Sequence, residues 1–177
     1  SSGLQGYALA RSLMQAGCDT VLISGPTALT APAGVRVISV KTADEMHTAA
    51  LKETQDADIF AGVAAVCDWK TAEVAPQKMK KTPGKESLTL TFVKNPDILA
   101  DVKKARPTLF AVGFAAETEN LEANAQTKCV TKGADLIVGN LAPAVFGKNE
   151  NTVIFVTKTG VTELPTMTKD ETAQRIT

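Results

Sequence analysis

Residues 59–69 read Ile59-Phe60-Ala61-Gly62-Val63-Ala64-Ala65-Val66-Cys67-Asp68-Trp69. An unbroken apolar run of this length, rich in small residues, suits a strand covered on both faces, as in the middle of a parallel sheet. We therefore expect a central parallel strand over 59–66, with Cys67 a small buried strand residue and Asp68 a carboxylate at its carboxyl end.

The flanking patterns repeat one unit. Before this run, Ala10, Leu13 and Met14 recur at helical spacing within a helix over 6–16, which Gly17 stops. Strands follow over 20–24 and 35–40. Thr42-Ala43-Asp44-Glu45 is a capping box that opens a helix to about Gln55. After the run, Leu88 to Val93 (LTLTFV) alternates at period two and reads as a half-buried strand. Asn95-Pro96-Asp97 starts a short helix, with Asn95 as cap and Pro96 at its first position. A strand over 108–114, a helix over 121–132 and a strand over 135–140 come next. Residues 152–157 and 161–164 flank Lys158-Thr159-Gly160 as a hairpin, and Thr168 to Glu171 is a second capping box.

Alternating βα units imply helices on both faces of a parallel sheet. The expected fold is α/β: a doubly wound, Rossmann-like, mostly parallel sheet with an antiparallel hairpin near the C-terminus. The stretch over 70–87 breaks the rhythm with lysines, prolines and a glycine and reads as a flap. Length suits a single domain over 1–177. Its two ends, an opening Ser1-Ser2-Gly3 and a closing helix barely begun, read as truncated.

Bulk composition narrows the function. Lys plus Arg and Asp plus Glu both number 19, so no global charge marks a nucleic-acid or membrane partner. Three scattered cysteines without a CxxC pair argue against structural zinc and for a reducing, cytoplasmic setting. The lone histidine, His47, falls mid-helix on an exposed position, so Ser-His-Asp and Cys-His catalysis lack a base. There is no GxxxxGK[ST]. What remains is chemistry by positioning and charge neutralisation.

Ligands of doubly wound sheets bind outside the carboxyl ends of the strands. Ser1-Ser2-Gly3-Leu4-Gln5-Gly6 leads into the first helix there and reads equally as an anion cradle or a glycine turn. Gly62 to Asp68 either leaves room for a ligand against backbone, with Asp68 placed to hold a cation or a polar ligand group, or packs its alanines against a helix while Asp68 caps a turn. Lys78-Met79-Lys80-Lys81 is the densest cationic cluster; composition alone favours a solvated charge run over a phosphate flap. Lys128 and Lys132, four apart, share a helix face: either an anion site or, more commonly, a solvated one. Phe114 either stacks on a base or belongs to the core.

In this order, SSGLQG at 1–6, SGP at 24–26, GVAAVCDW at 62–69, VAPQKMKK at 74–81, VKNPDIL at 93–99 and VGFAAET at 112–118 resemble the phosphopantothenoylcysteine synthetases. The resemblance runs from residue 1 to Asn140 and weakens beyond. It implies a ligase that joins 4′-phosphopantothenate to cysteine at the expense of CTP. The carboxylate attacks the α-phosphate to give an acyl-cytidylate, which the cysteine amine then opens.

By the same resemblance, CTP contacts fall on Gly62, Val63, Ala64, Asp68, Lys78, Pro96, Asp97, Ile98, Leu99, Phe114, Lys128 and Lys132. Lys78 is the catalytic flap lysine, and Asp68 binds Mg2+ or Mn2+. Ser1, Ser2, Gly3, Ala64 and Ala65 hold the phosphopantothenoyl intermediate. The family's asparagine ahead of Ser1 has no counterpart here. A homodimer and a fused upstream flavin-dependent decarboxylase are also implied. The competing readings are an NAD(P)-binding oxidoreductase, which lacks its Tyr-x-x-x-Lys pair here, and a non-catalytic nucleotide-binding domain.

Overall fold

The structure is a computed structural model that describes residues 2–80, 84, 86–141 and 150–177. Its first helix, α1 (Leu4–Gln15), begins earlier than the apolar spacing predicts. Gly3, at φ 78°, supplies a left-handed entry that a side chain would resist. Strands β1 (Val21–Ser24) and β2 (Arg36–Ser39) pair in parallel, Val21 opposite Arg36. Helix α2 (Ala43–Glu53) is capped by Thr42, whose side chain accepts from Glu45 N–H; such a cap contributes about 1 kcal/mol. The Glu45 carboxylate accepts from Lys41 N–H rather than closing the box on Thr42.

The main sheet contains β3 (Ile59–Gly62), β6 (Phe110–Glu117), β7 (Leu136–Leu141), β9 (Val153–Thr157) and β10 (Gly160–Glu163). Its order is β10-β9-β7-β6-β3. The β3–β6 and β6–β7 pairs are parallel, and the β7–β9 and β9–β10 pairs are antiparallel. The predicted C-terminal hairpin is thus present and extends one edge. Between β3 and β6 come β4 (Trp69–Thr71), β5 (Phe92–Lys94) and helix α3 (Ile98–Ala105). Helix α4 (Leu121–Lys132) has the predicted bounds. Strands β8 (Glu150–Asn151) and β11 (Met167–Thr168) pair antiparallel ahead of the final helix, α5 (Lys169–Ile176). Thr168 and Glu171 form the predicted capping box of α5 in full.

Helices cover both faces, as a doubly wound sheet requires. On one face, Ala125 and Cys129 of α4 pack against Ala115, Ile137, Ile154 and Val156. The same face continues through Val102 of α3 and Ala50 of α2, packed with Leu109 and Ala111. On the other face, Ala8 and Leu9 of α1 and Ala173 of α5 meet Ala61, Val63 and Phe114. Ile23 of β1 and Phe60 of β3 touch one cluster, so the β1–β2 pair shares the core. Among the described residues no hydrogen-bonded ladder joins β1 to β3.

Three expectations need correction. The strand expected over 59–66 ends at Gly62 and closes one end of the five-stranded ladder. The chain turns tightly beyond it, with Val66 N–H bonded to Ala64 C=O, 3.0 Å. Cys67 is accordingly exposed and outside the strand. The alternating 88–93 segment is not half buried: Leu88, Leu90, Phe92 and Val93 are all exposed, and only Phe92–Lys94 pairs. Its partner is the three-residue β4, and the two strands form a sheet of their own apart from the main one. His47 is half buried rather than exposed, because its Nε2 lies 2.9 Å from Asp101 of α3.

Candidate functional site

Glycine determines how closely the layers approach at the strand ends. Gly62 lies opposite Gly113 in the β3–β6 register. A Cβ on Gly113 would fall 2.6 Å from Leu99 Cδ2 and 2.7 Å from Ile137 Cδ1. The absent side chain lets α3 lie directly on β6, which sets the first turn of α3 beside the carboxyl ends of the strands.

Four segments converge there. In α1, Gly6 faces Val63, with 3.8 Å from a Cβ built on the glycine. Tyr7 Oη lies 3.0 Å from Ser24 Oγ, and Thr27 Oγ1 donates to Ser2 C=O at 3.4 Å. These contacts bring the Ser2-Gly3 turn to the Ser24-Gly25-Pro26 turn that ends β1. The 62–68 segment comes next, with Ala64, Ala65 and Asp68 exposed. The third segment is 95–99. Asp97, not Asn95, caps α3: its Oδ1 accepts from Ala100 N–H, 3.2 Å. Pro96 keeps the residue before it out of helical conformation, so Asn95 follows on from β5 and its side chain turns to Cys67. Ile98 and Leu99 are half buried, with their side chains packed against the core clusters.

The fourth segment carries the cations. Lys128 Nζ donates to Phe114 C=O at 2.6 Å, and Lys132 is paired with Asp97. Phe114 itself is half buried between the sheet and α1–α5. Burial first, and then the neighbouring Lys132, hold the Lys128 ammonium below its ordinary pKa, although Glu117, Asp97 and Asp68 pull the other way. The two lysines therefore form one electrostatic unit with Asp97 and Asp68. Both lysine side chains are half buried on this face.

The lysine flap stands apart. Lys78 and Lys80 are exposed, and among the described residues no acceptor holds either side chain. Lys81, Lys85 and Ser1 lie outside the described residues. Among the described residues no group of three or more His, Cys, Asp or Glu converges on a metal position, and no helix is long and apolar enough to cross a membrane. Reading the sequence missed Asn95 as a link to the 62–68 segment. Pro96 was the available signal, because a residue before proline extends rather than caps.

Comparison with known proteins places the chain in a family. The profile of the DNA/pantothenate metabolism flavoprotein C-terminal domain matches residues 1–177. The chain is 42% identical over 182 residues to the Coenzyme A biosynthesis bifunctional protein CoaBC of Vibrio cholerae, covering 99% of this chain and 45% of that protein. It is 46% identical over 145 residues to the same-named protein of Escherichia coli K12, covering 79% and 35%. The crystal structure of the C-terminal domain of a CoaBC protein superposes with a TM-score of 0.83 at 33% identity, covering 99% of this chain and 80% of that one. A Cab2 mutant in complex with phosphopantothenate-cysteine has a TM-score of 0.76 at 16% identity over 97% of this chain and 75% of its own, a likeness of fold alone. The chain spans less than half the length of these curated relatives. By both profile and sequence identity, the chain belongs to the DNA/pantothenate metabolism flavoprotein C-terminal domain family.

Proposed function

We propose that this chain is the ligase part of a coenzyme A biosynthesis protein, joining 4′-phosphopantothenate to cysteine with CTP through an acyl-cytidylate. The observation that carries the reading is the convergence at the carboxyl ends of β3 and β6. There, backbone free of large side chains at Gly62 and Ala64 adjoins the Asp97 turn and the coupled Lys128–Lys132 pair. Small residues admit a nucleotide against the backbone, and the paired lysines offset its negative charge. The names of the relatives support the same assignment.

The chemistry needs no enzyme nucleophile. A carboxylate oxygen of the substrate attacks the α-phosphorus and pyrophosphate leaves. The cysteine amine then attacks the acyl carbon, CMP leaves, and the amine proton passes to solvent. Lys78 on the exposed flap stabilises charge on the phosphates, and Phe114 and Pro96 to Leu99 line the nucleotide. Ser2, Gly3, Ala64 and Ala65, with Ser1, hold the acyl portion. A single exposed carboxylate, Asp68, fits a Mg2+ or Mn2+ ion whose other ligands are phosphate oxygens and water. Bound there, the ion would neutralise phosphate charge.

A homodimer, a fused upstream decarboxylase and a cytoplasmic setting complete the reading. The exposed apolar arm around Trp69, Leu90 and Phe92 supports the first. The relatives' bifunctional name and greater length support the second. The test is pyrophosphate release by the whole protein given 4′-phosphopantothenate, CTP and Mg2+ without cysteine. We expect release with an acyl-cytidylate visible by phosphorus NMR. Strict dependence of release on cysteine, or cytidylate bonded to protein, overturns the scheme.

A further inference from the structure

Asn95 occupies a junction that the assigned roles leave out. Its backbone N–H donates to Asp68 C=O at 2.8 Å, and its side-chain Nδ2 donates to Cys67 C=O, also at 2.8 Å. Among the described residues these are the hydrogen bonds that tie Cys67 and Asp68 to another element. One residue before them, Lys94 lies opposite Trp69 in the β4–β5 register and sets its ammonium 5.8 Å from the ring centroid. Two residues after Asn95, Asp97 caps α3 and pairs with Lys132. A single tetrapeptide, 94–97, thus staples the Asp68 turn to the lysine pair.

The other end of the Asn95 amide is the telling feature. Donation to Cys67 fixes which way the amide faces, and among the described residues Oδ1 then has no hydrogen-bond partner. A buried acceptor left unpaired costs stability, and a natural protein rarely keeps one without a reason. The donor contact of Asn95, by contrast, reaches a turn whose residues are exposed, where water would satisfy Cys67 C=O equally well. The side-chain bond from Asn95 holds that surface turn in one place.

We propose that Asn95 is a positioning residue of the ligation site, orienting Asp68 toward the Lys128–Lys132 pair through its hydrogen bond to Cys67. The inference rests on the proposed function, since it assigns Asp68 a place beside the triphosphate. Asn95 itself need touch neither substrate nor cation. Removing its amide releases Cys67 and leaves the turn held by the backbone bond to Asp68 C=O, so the cost falls on nucleotide affinity and not on the stability of the core.

The test uses the whole protein, with N95L as the informative change. Leucine approximates the shape, removes the unpaired acceptor and lacks the donor. We expect an unchanged melting temperature, with KM for CTP raised at least tenfold and KM for cysteine unchanged. The double change N95L/D68N should cost no more than D68N alone, because Asn95 acts through Asp68. N95A gives the same comparison if N95L does not fold. A lowered melting temperature with unchanged KM for CTP overturns the proposal and makes Asn95 structural. So does full additivity with D68N, or failure of both variants to fold. Absence of CTP-dependent pyrophosphate release by the parent protein overturns the proposed function instead, and the role of Asn95 falls with it.

Discussion

In β6 and β7, Val112, Ile137 and Val138 are at most 2% exposed, whereas in the β4–β5 arm Trp69 and Phe92 are each more than half exposed. Both regions are apolar and strand-like in sequence. The first is sandwiched between helices, so each side chain has a fixed neighbour and a one-methyl change is felt. The second is a two-stranded ribbon whose large apolar side chains Trp69, Phe92 and Val93 are all exposed. The sheet supplies stability and carries the site at its carboxyl edge; the arm and the flap beyond it supply side chains that stability does not constrain. Changes in the arm and flap should therefore lower activity at constant stability, and changes in the sheet the reverse.

The largest expected effect is at Lys78. It is exposed on the irregular 72–80 stretch, with no described partner to lose. Lys78→Gln should slow ligation about a hundredfold, ~3 kcal/mol of lost transition-state stabilisation, and leave the melting temperature unchanged. Steady-state kinetics beside a thermal melt decides this. Unchanged turnover removes Lys78 from the chemistry, and a matching loss of stability breaks the contrast.

Gly113→Ala is the converse. Its new methyl would meet Leu99 and Ile137 well inside van der Waals contact. Overpacking of this kind costs about 1–3 kcal/mol. Urea unfolding should show it, while Gly160→Ala, whose Cβ has no atom within 4 Å, should change stability little. Equal midpoints for the two variants would mean that α3 yields freely, and with it the Asp97 turn.

How far the sequence was legible follows the same division. Where a residue faces a packed layer, periodicity reports it: the bounds of α4, the parallel strands β6 and β7 and the β9–β10 hairpin all follow from apolar spacing. In 88–93 the same period-two alternation has no core behind it, so inference from pattern to burial fails. The run over 59–66 misleads for a related reason. Its alanines and valines are compatible with a strand, but the turn at 64–66 is a tertiary outcome that composition does not encode. At the site, small residues, lysines and Asp68 were visible as types. Asp97 pairing with Lys132 and Lys128 reaching Phe114 C=O are contacts between elements 14 to 35 residues apart. Only the assembled fold brings them together.

Lys128 and Lys132 sharpen the comparison from within, because they sit on a packed helix yet serve the edge. Lys128→Ala and Lys132→Ala should each weaken CTP binding about tenfold, ~1.4 kcal/mol. The double variant should lose less than the sum, since both act on one anion. Titration calorimetry distinguishes this from two independent, negligible effects, which would return both lysines to the solvated surface.

The smallest effect is a proton. Burial and Lys132 lower the pKa of Lys128, so the folded protein holds this proton less tightly than the unfolded chain. The sign follows from linkage: the charged ammonium opposes folding at pH below the lowered pKa, and the opposition is relieved as pH rises through it. A bound triphosphate acts oppositely, stabilising the ammonium and returning its pKa toward the ordinary lysine value. Between those two pKa values, CTP binding must therefore take up a fraction of a proton, and affinity must fall as pH rises through the window. The triphosphate is fully ionised there, so it contributes no proton of its own. Calorimetry at alkaline pH in two buffers of different ionisation enthalpy measures the uptake directly. Lys128→Gln should abolish that part of it, whereas Lys78→Gln, which alters an exposed group outside the buried pair, should leave it intact. Proton release on binding, or uptake that persists in Lys128→Gln, would show that Lys128 does not meet the phosphates.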